Sequence, residues 1–277
     1  VTLGGITSGT VLTVTNDVSA DGVDTITLTG DLRGDDGVTI KAGAAVLDVD
    51  LSGDVSITAI DNPVSLNTTS LDGAFALNID AGNGADADIT LGTIGATTPV
   101  ESLTVSSSDA AASLTLNGNI TVEQDIAFTH DTDATLGGDV TITSNDGAVT
   151  MQETVTGTDD DFTVNAESII VTDIDTAGGN ISLTSTSGDI TAAALTSTAA
   201  AAGTITVNAA NGLTTGDVTA NGDAAGDNAG AVSITAGDNY NLGGSISAVG
   251  TGAGNGAGIT LNTDRTTIGA GITATLG

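Results

Sequence analysis

Carboxylates dominate the chemistry this chain has to offer. Adjacent acids stand at Asp35-Asp36 and Asp159-Asp160-Asp161. Spaced pairs stand at Asp48/Asp50, Asp86/Asp88, Asp131/Asp133 and Asp173/Asp175. Such groups serve two chemistries. A hard cation such as Ca²⁺ takes several oxygen ligands at once. A glycoside hydrolase or lyase sets two acids across a groove. The calcium nonapeptide GGxGxDxUx does not recur as a unit, and the spacing of a helix–loop–helix calcium site is missing. The simpler expectation is that these acids are solvated charge at chain corners. No residue is assigned a catalytic, cofactor-binding or metal role, and Ca²⁺ is the one ion kept open.

The remaining reactive side chains are few. His130 is the sole histidine, so no imidazole cluster for a metal exists. A Ser–His–Asp relay through it is uninformative, because Ser and Asp are everywhere. Its neighbours Thr129, Asp131 and Thr132 predict an exposed corner. Tyr240, in GDNYNLGG, stands between Asn239 and Asn241. That trio is the one hint of a glycan or protein contact, though a corner side chain lying on the next turn explains it as well. Phe75, Phe128 and Phe162 fit apolar strand positions and are expected in the core. Lys41, Arg33 and Arg265 are the only cations, and they are far apart in sequence. Gly250–Gly258 carries no Walker lysine and is not set between a strand and a helix, so it cradles no phosphate. Flat threonine ladders on solenoids bind ice. The pairs Thr13/Thr15, Thr25/Thr27/Thr29 and Thr141/Thr143 do not visibly recur at one corner, so they read as solvent-facing strand positions.

What must position these residues is a repeat. ITVNAANGLTTGDVTANG begins at Ile205, VSITAGDNYNLGGSISAVG at Val232 and ITLNTDRTTIGAGITATLG at Ile259, a constant step. A fixed period of this size signals a solenoid, propeller or array. Second apolar points follow at Leu213, Leu242 and Ile268, and third points at Val218, Ile246 and Ile272. Ile181, Ile190 and Leu195 repeat the triplet with a shorter return. Upstream, Phe162-Thr-Val164, Val140-Thr-Ile142, Leu103-Thr-Val105, Val55-Ser-Ile57 and Val38-Thr-Ile40 share the apolar–small polar–apolar code of a strand with one buried face. The prediction is an all-β, single-domain parallel β-solenoid over residues 1–277, a right-handed β-helix of about 11–12 turns with layers spaced by about 4.8 Å. The run from Ala199 to Ala202 is too short for a stable helix and is expected as a corner or strand edge.

Composition agrees. Only 1% of residues are aromatic, so the core must be built from Val, Ile, Leu and Ala, which stack well in narrow ladders. Thr suits the pleat, while Gly, Asn and Asp suit corners. Against 35 acidic residues stand 3 basic ones, for a net charge of −32. Such a surface keeps an extended β-protein soluble. It excludes electrostatic nucleic-acid binding and argues against docking on anionic lipid. No cysteine is present, and no apolar run is long enough to span a bilayer as a helix. The terminal segments read as ordinary turns rather than caps, although solenoids normally need atypical end repeats. That predicts a segment of a longer rod, or a subunit that pairs end to end with its neighbours.

The turns GGNISLTSTSGDITAAAL (178–195) and GAVSITAGDNYNLGGSISAVG (230–250) resemble the filamentous-hemagglutinin-type exoproteins, secreted bacterial β-helices. The Asn-Pro-Asn-Gly secretion segment of the two-partner members is not found. The resemblance implies adhesion, surface contact and fibre formation, and it carries over no catalytic residue. The expected function is structural: a non-enzymatic segment of a secreted or cell-surface fibre, self-associating end to end, with neither nucleic acid nor membrane insertion. One alternative is an adhesin passenger binding a glycan or host protein. The other is a β-helix polysaccharide lyase or hydrolase.

Overall fold

The computed structural model describes residues 2–15, 24–41, 47–60, 62–67, 70–84, 86–108, 112–130, 133–268 and 272–273. The chain is all-β, its parallel strands stacked as a β-solenoid of about 11 turns, with no helix among the described residues. It divides into two compact units, Val1–Gly137 with Thr143–Gly147, and Gly138–Ile142 with Ala148–Gly277. Each is built from three ladders.

In the unit that starts the chain, the first ladder runs through Thr2–Leu3, Asp24–Leu28, Leu47–Leu51 and Ser70–Asp72. It then narrows to single bridges, Leu71 to Ile94 and Ile94 to Ile120. The second ladder climbs through Ile6–Ser8, Leu32–Gly34, Val55–Ala59, Leu77–Asp80, Leu103–Ser107 and Ile126–His130. The third passes through Leu12–Thr15, Val38–Lys41, Val64–Asn67, Ile89–Leu91, Leu114–Leu116 and Ala134–Leu136. Strand residues alternate between interior and exterior, so Val55, Ile57 and Ala59 are buried while Ser56 and Thr58 face outward. Gly95 shows what the corners demand. Its φ is +70°, and a Cβ there would lie 2.0 Å from the Thr121 carbonyl oxygen.

The other unit keeps the pattern. Its first ladder stacks Phe162–Ala166, Ile181–Ser185, Ile205–Ala209 and the first halves of Val232–Leu242 and Ile259–Ile268. Ile205 pairs with Val232 and Val232 with Ile259, as the constant step predicts. The inner columns of this ladder descend from Phe162 and Val164 to Ile259 and Leu261. Each fully buried aliphatic side chain contributes about 1.5–3 kcal/mol. Ile190 and Leu195 align with Leu213 and Val218, and Val218 with Ile246 and Ile272. Ala199 and Ala201 form isolated parallel bridges to Gly222 and Asn228, the strand edge expected of that run.

Two features of the repeat are corrected. Leu213 pairs with Tyr240, not Leu242, which instead pairs with Thr215. Matching aliphatic positions alone skipped the aromatic that fills the equivalent place. The upstream strands beginning at Val38, Val55 and Leu103 belong to different ladders: the third for Val38, the second for Val55 and Leu103. Much of the apparent drift in their spacing comes from comparing strands of unlike ladders.

Candidate functional site

The corner acids have a structural role the sequence did not disclose. Each stands just before a strand, and its side chain accepts a backbone N–H from the register-matched residue one turn on. Asp31 Oδ1 accepts from Ser56 N at 2.8 Å and Asp54 Oδ1 from Ala76 N at 3.1 Å. Asp88 Oδ1 accepts from both Ser113 N and Ser113 Oγ, each at 2.7 Å. In the other unit, Asp139 Oδ1 accepts from Asp161 N at 2.9 Å, and Asp161 Oδ1 in turn accepts from Asn180 N at 2.7 Å. Asn180 Oδ1 continues the chain to Thr204 N at 2.8 Å. Asp189 Oδ1 accepts from Gly212 N at 2.9 Å and Asp217 Oδ1 from Ser245 N at 2.7 Å. These carboxylates remain exposed or half-buried at the surface, yet they also tie layer to layer. The expectation of merely solvated charge is thereby corrected.

The acid pairs divide between this role and isolated surface positions. Asp35 meets Arg33 Nε at 3.2 Å, and Asp36 is exposed. Asp159 has φ +60°, Asp160 accepts from Thr158 N at 3.0 Å, and Asp161 belongs to the corner chain. Asp175 accepts from Ala177 N at 3.1 Å; Asp173 is half-buried, and Asp86 and Asp133 are exposed. Asp131 lies outside the described residues.

A further gathering of acids is on the first ladder of the unit that starts the chain. Asp48 stands opposite Ser70, and Asp50 opposite Asp72. Asp72 is buried, with its oxygens already engaged: Oδ2 accepts from Ser70 Oγ at 2.6 Å, and Oδ1 from Thr97 N at 2.8 Å and Thr98 N at 3.0 Å. Desolvation, followed by repulsion from Asp72 and Asp50, raises the Asp48 carboxyl above its ordinary value. Among the described residues, no group of three or more His, Cys, Asp or Glu is arranged to hold a metal ion.

His130 is not at an exposed corner. It ends the strand Ile126–His130, whose alternation turns Ile126, Phe128 and His130 inward, and only 3% of it is exposed. Its register partner Ser107 is likewise a buried polar residue. Phe128 and Phe162 are in the core as expected, whereas Phe75 is half-buried in the bend before Leu77–Asp80.

Tyr240 is fully buried, so it is neither a corner side chain nor a contact residue. Its hydroxyl lies 2.8 Å from Thr215 Oγ1, itself buried. Burial pushes the phenol above its ordinary value, opposed by the bond to Thr215. Asn239 and Asn241 are left exposed on either side. With Asp189, Thr191 and Thr214 they line a shallow depression of ≈ 220 Å³. The trio therefore offers a partner two amides and no ring.

The three cations are scattered. Lys41 is an exposed strand residue whose register partners are Thr15 and Asn67. Arg265 lies 4.0 Å from Asp238 at an exposed position.

The outward hydroxyls recur where none was expected to. Thr13, Thr39, Ser65, Thr90, Thr115 and Thr135 occupy one column along the third ladder of their unit. In the other unit, the outward residues of the first ladder form rows Thr163-x-Asn165, Ser182-x-Thr184, Thr206-x-Asn208, Ser233-x-Thr235 and Thr260-x-Asn262, stacked in register. Only the pairing reveals that Thr-x-Asn and Ser-x-Thr alternate from layer to layer.

These ladders, corner acceptors and outward rows define the chain as a parallel β-solenoid. It matches no protein family, no curated protein and no solved structure.

Proposed function

We propose that the chain is a structural segment of a secreted or cell-surface fibre, in which solenoid layers stack end to end. The observation that carries this reading is the corner acceptor chain. Each layer offers side-chain oxygens to the next through Asp139, Asp161 and Asn180, alongside the backbone ladders. A layer contributed by another copy would be received by backbone ladders and by corner acceptors of the same kind on the facing layer, without a cofactor. The resemblance to filamentous-hemagglutinin-type exoproteins supports the same role. Heterologous contacts of this kind do not close and so grow filaments.

Negative-stain imaging across a concentration series tests it. Continuous thin filaments that lengthen with concentration are the expected result. Discrete particles at every concentration and salt would overturn it.

A further inference from the structure

We propose that the outer face of the first ladder in the unit containing residues 148–277 binds ice. The face comprises the five stacked rows beginning at Thr163, Ser182, Thr206, Ser233 and Thr260. The proposal is independent of fibre assembly.

Four observations converge there. The first is charge. In a chain of net charge −32, every outward position of these rows is Thr, Ser or Asn. A neutral patch on so acidic a molecule suits a neutral partner and repels none. The second is availability. The corner acids, amides and hydroxyls are engaged in bonds within the chain, as Asp161 and Asn180 are. The ten outward side chains of the rows have no hydrogen-bond partner in the protein among the described residues. Each hydroxyl can donate once and accept twice, and each amide can do both. The face is thus a field of unused donors and acceptors, the same mixed capacity that every water molecule in ice presents.

Regularity is the third. Rows repeat every ~4.8 Å along the stack, and the two columns stand ~6.6 Å apart along the strands. Pairing is continuous over the five rows, and the one register shift of the ladder falls beyond them, between Ala236 and Asn239. A partner must therefore repeat in two dimensions at spacings near those of oxygen atoms in ice. The fourth is rigidity. β-branched threonines are stiff at χ1, and neighbours in register leave most of the rows half-buried. Little freedom is lost on docking, which is the condition for many weak contacts to sum.

Other occupants fit less well. A glycan surface normally meets aromatic platforms, and the one tyrosine is buried away from this face. A second copy docking face to face would bury about 800 Å² in total, below the 1,200 Å² of the smallest standard interfaces.

The test grows a polycrystalline ice hemisphere from dilute protein and, in parallel, measures the gap between melting and freezing of a single crystal. The expected result is enrichment in the ice and a freezing gap with faceted crystals. Thr206→Tyr should abolish both signals, while Thr214→Tyr, in the strand Leu213–Thr215 outside this ladder, should leave them unchanged. Asn208→Asp, nearly isosteric, should weaken them without disturbing the fold, which is checked by circular dichroism. Exclusion of the wild-type protein from ice, with no freezing gap, overturns the proposal. So does loss in Thr214→Tyr but not in Thr206→Tyr. Sedimentation with crystalline cellulose or chitin, or dimerisation through this face, without the ice signals would do the same. Filament images play no part in these readouts, so this proposal and the fibre reading fail separately.

Discussion

Tyr240 shows how one side chain can serve packing and polarity together. Its ring occupies the inner position that Leu213 holds one layer earlier, and its hydroxyl reaches the buried Thr215 Oγ1 at 2.8 Å. Removing only one partner of such a pair strands the other. Tyr240→Phe should therefore destabilise the fold by about 1–3 kcal/mol. The double variant Tyr240→Phe/Thr215→Val should recover most of that loss, as read from urea midpoints. The pH dependence follows with a definite sign. Burial raises the folded-state phenol pKa, so the native protein keeps its proton where the unfolded chain, near 10, has lost it. Stability from this site is complete below that pH and declines as alkali titrates the unfolded chain and then the folded one. In Tyr240→Phe this alkaline decline should disappear.

At the scale of the strand and its corner, an acceptor is required rather than a charge. Asp217 Oδ1 takes both Ser245 N at 2.7 Å and Ser245 Oγ at 2.9 Å. Asn180 does the same for Thr204 N and Oγ1 with an amide oxygen, each at 2.8 Å. Asp217→Asn should thus be tolerated, whereas Asp217→Ala should cost about 1 kcal/mol. Equal losses in thermal unfolding for the two variants would show that charge matters there instead. The ladders were readable in the sequence because Ile205, Val232 and Ile259 repeat an aliphatic code at a constant step. The corner bonds were not, since they join residues 19 to 28 apart and exist only once the register is set. His130 and Tyr240 escaped for a related reason. A polar or aromatic residue at an inward position looks like surface until the alternation of its strand is counted through to the end. The alternating Thr-x-Asn and Ser-x-Thr rows were hidden likewise, because strands read singly show threonine only as a good β-former.

For the molecule as a whole, electrostatics is nearly all repulsion. Only two ion pairs occur among the described residues, Arg33–Asp35 and Arg265–Asp238, and both are exposed. Pairs of that kind contribute about 0–1 kcal/mol each, so salt has little attraction to weaken. It has much repulsion to screen, since the chain carries a net charge of −32 and the Debye length falls from about 30 Å at 0.01 M to about 3 Å at 1 M. The urea midpoint should therefore rise steadily as NaCl is added over that range. The proposed end-to-end assembly would bring like-charged copies together and should respond in the same direction, filaments lengthening with salt at fixed protein concentration. A midpoint that falls with NaCl would mean that attractive pairs, rather than the neutral aliphatic ladders and hydrogen-bonded corners, hold the solenoid together.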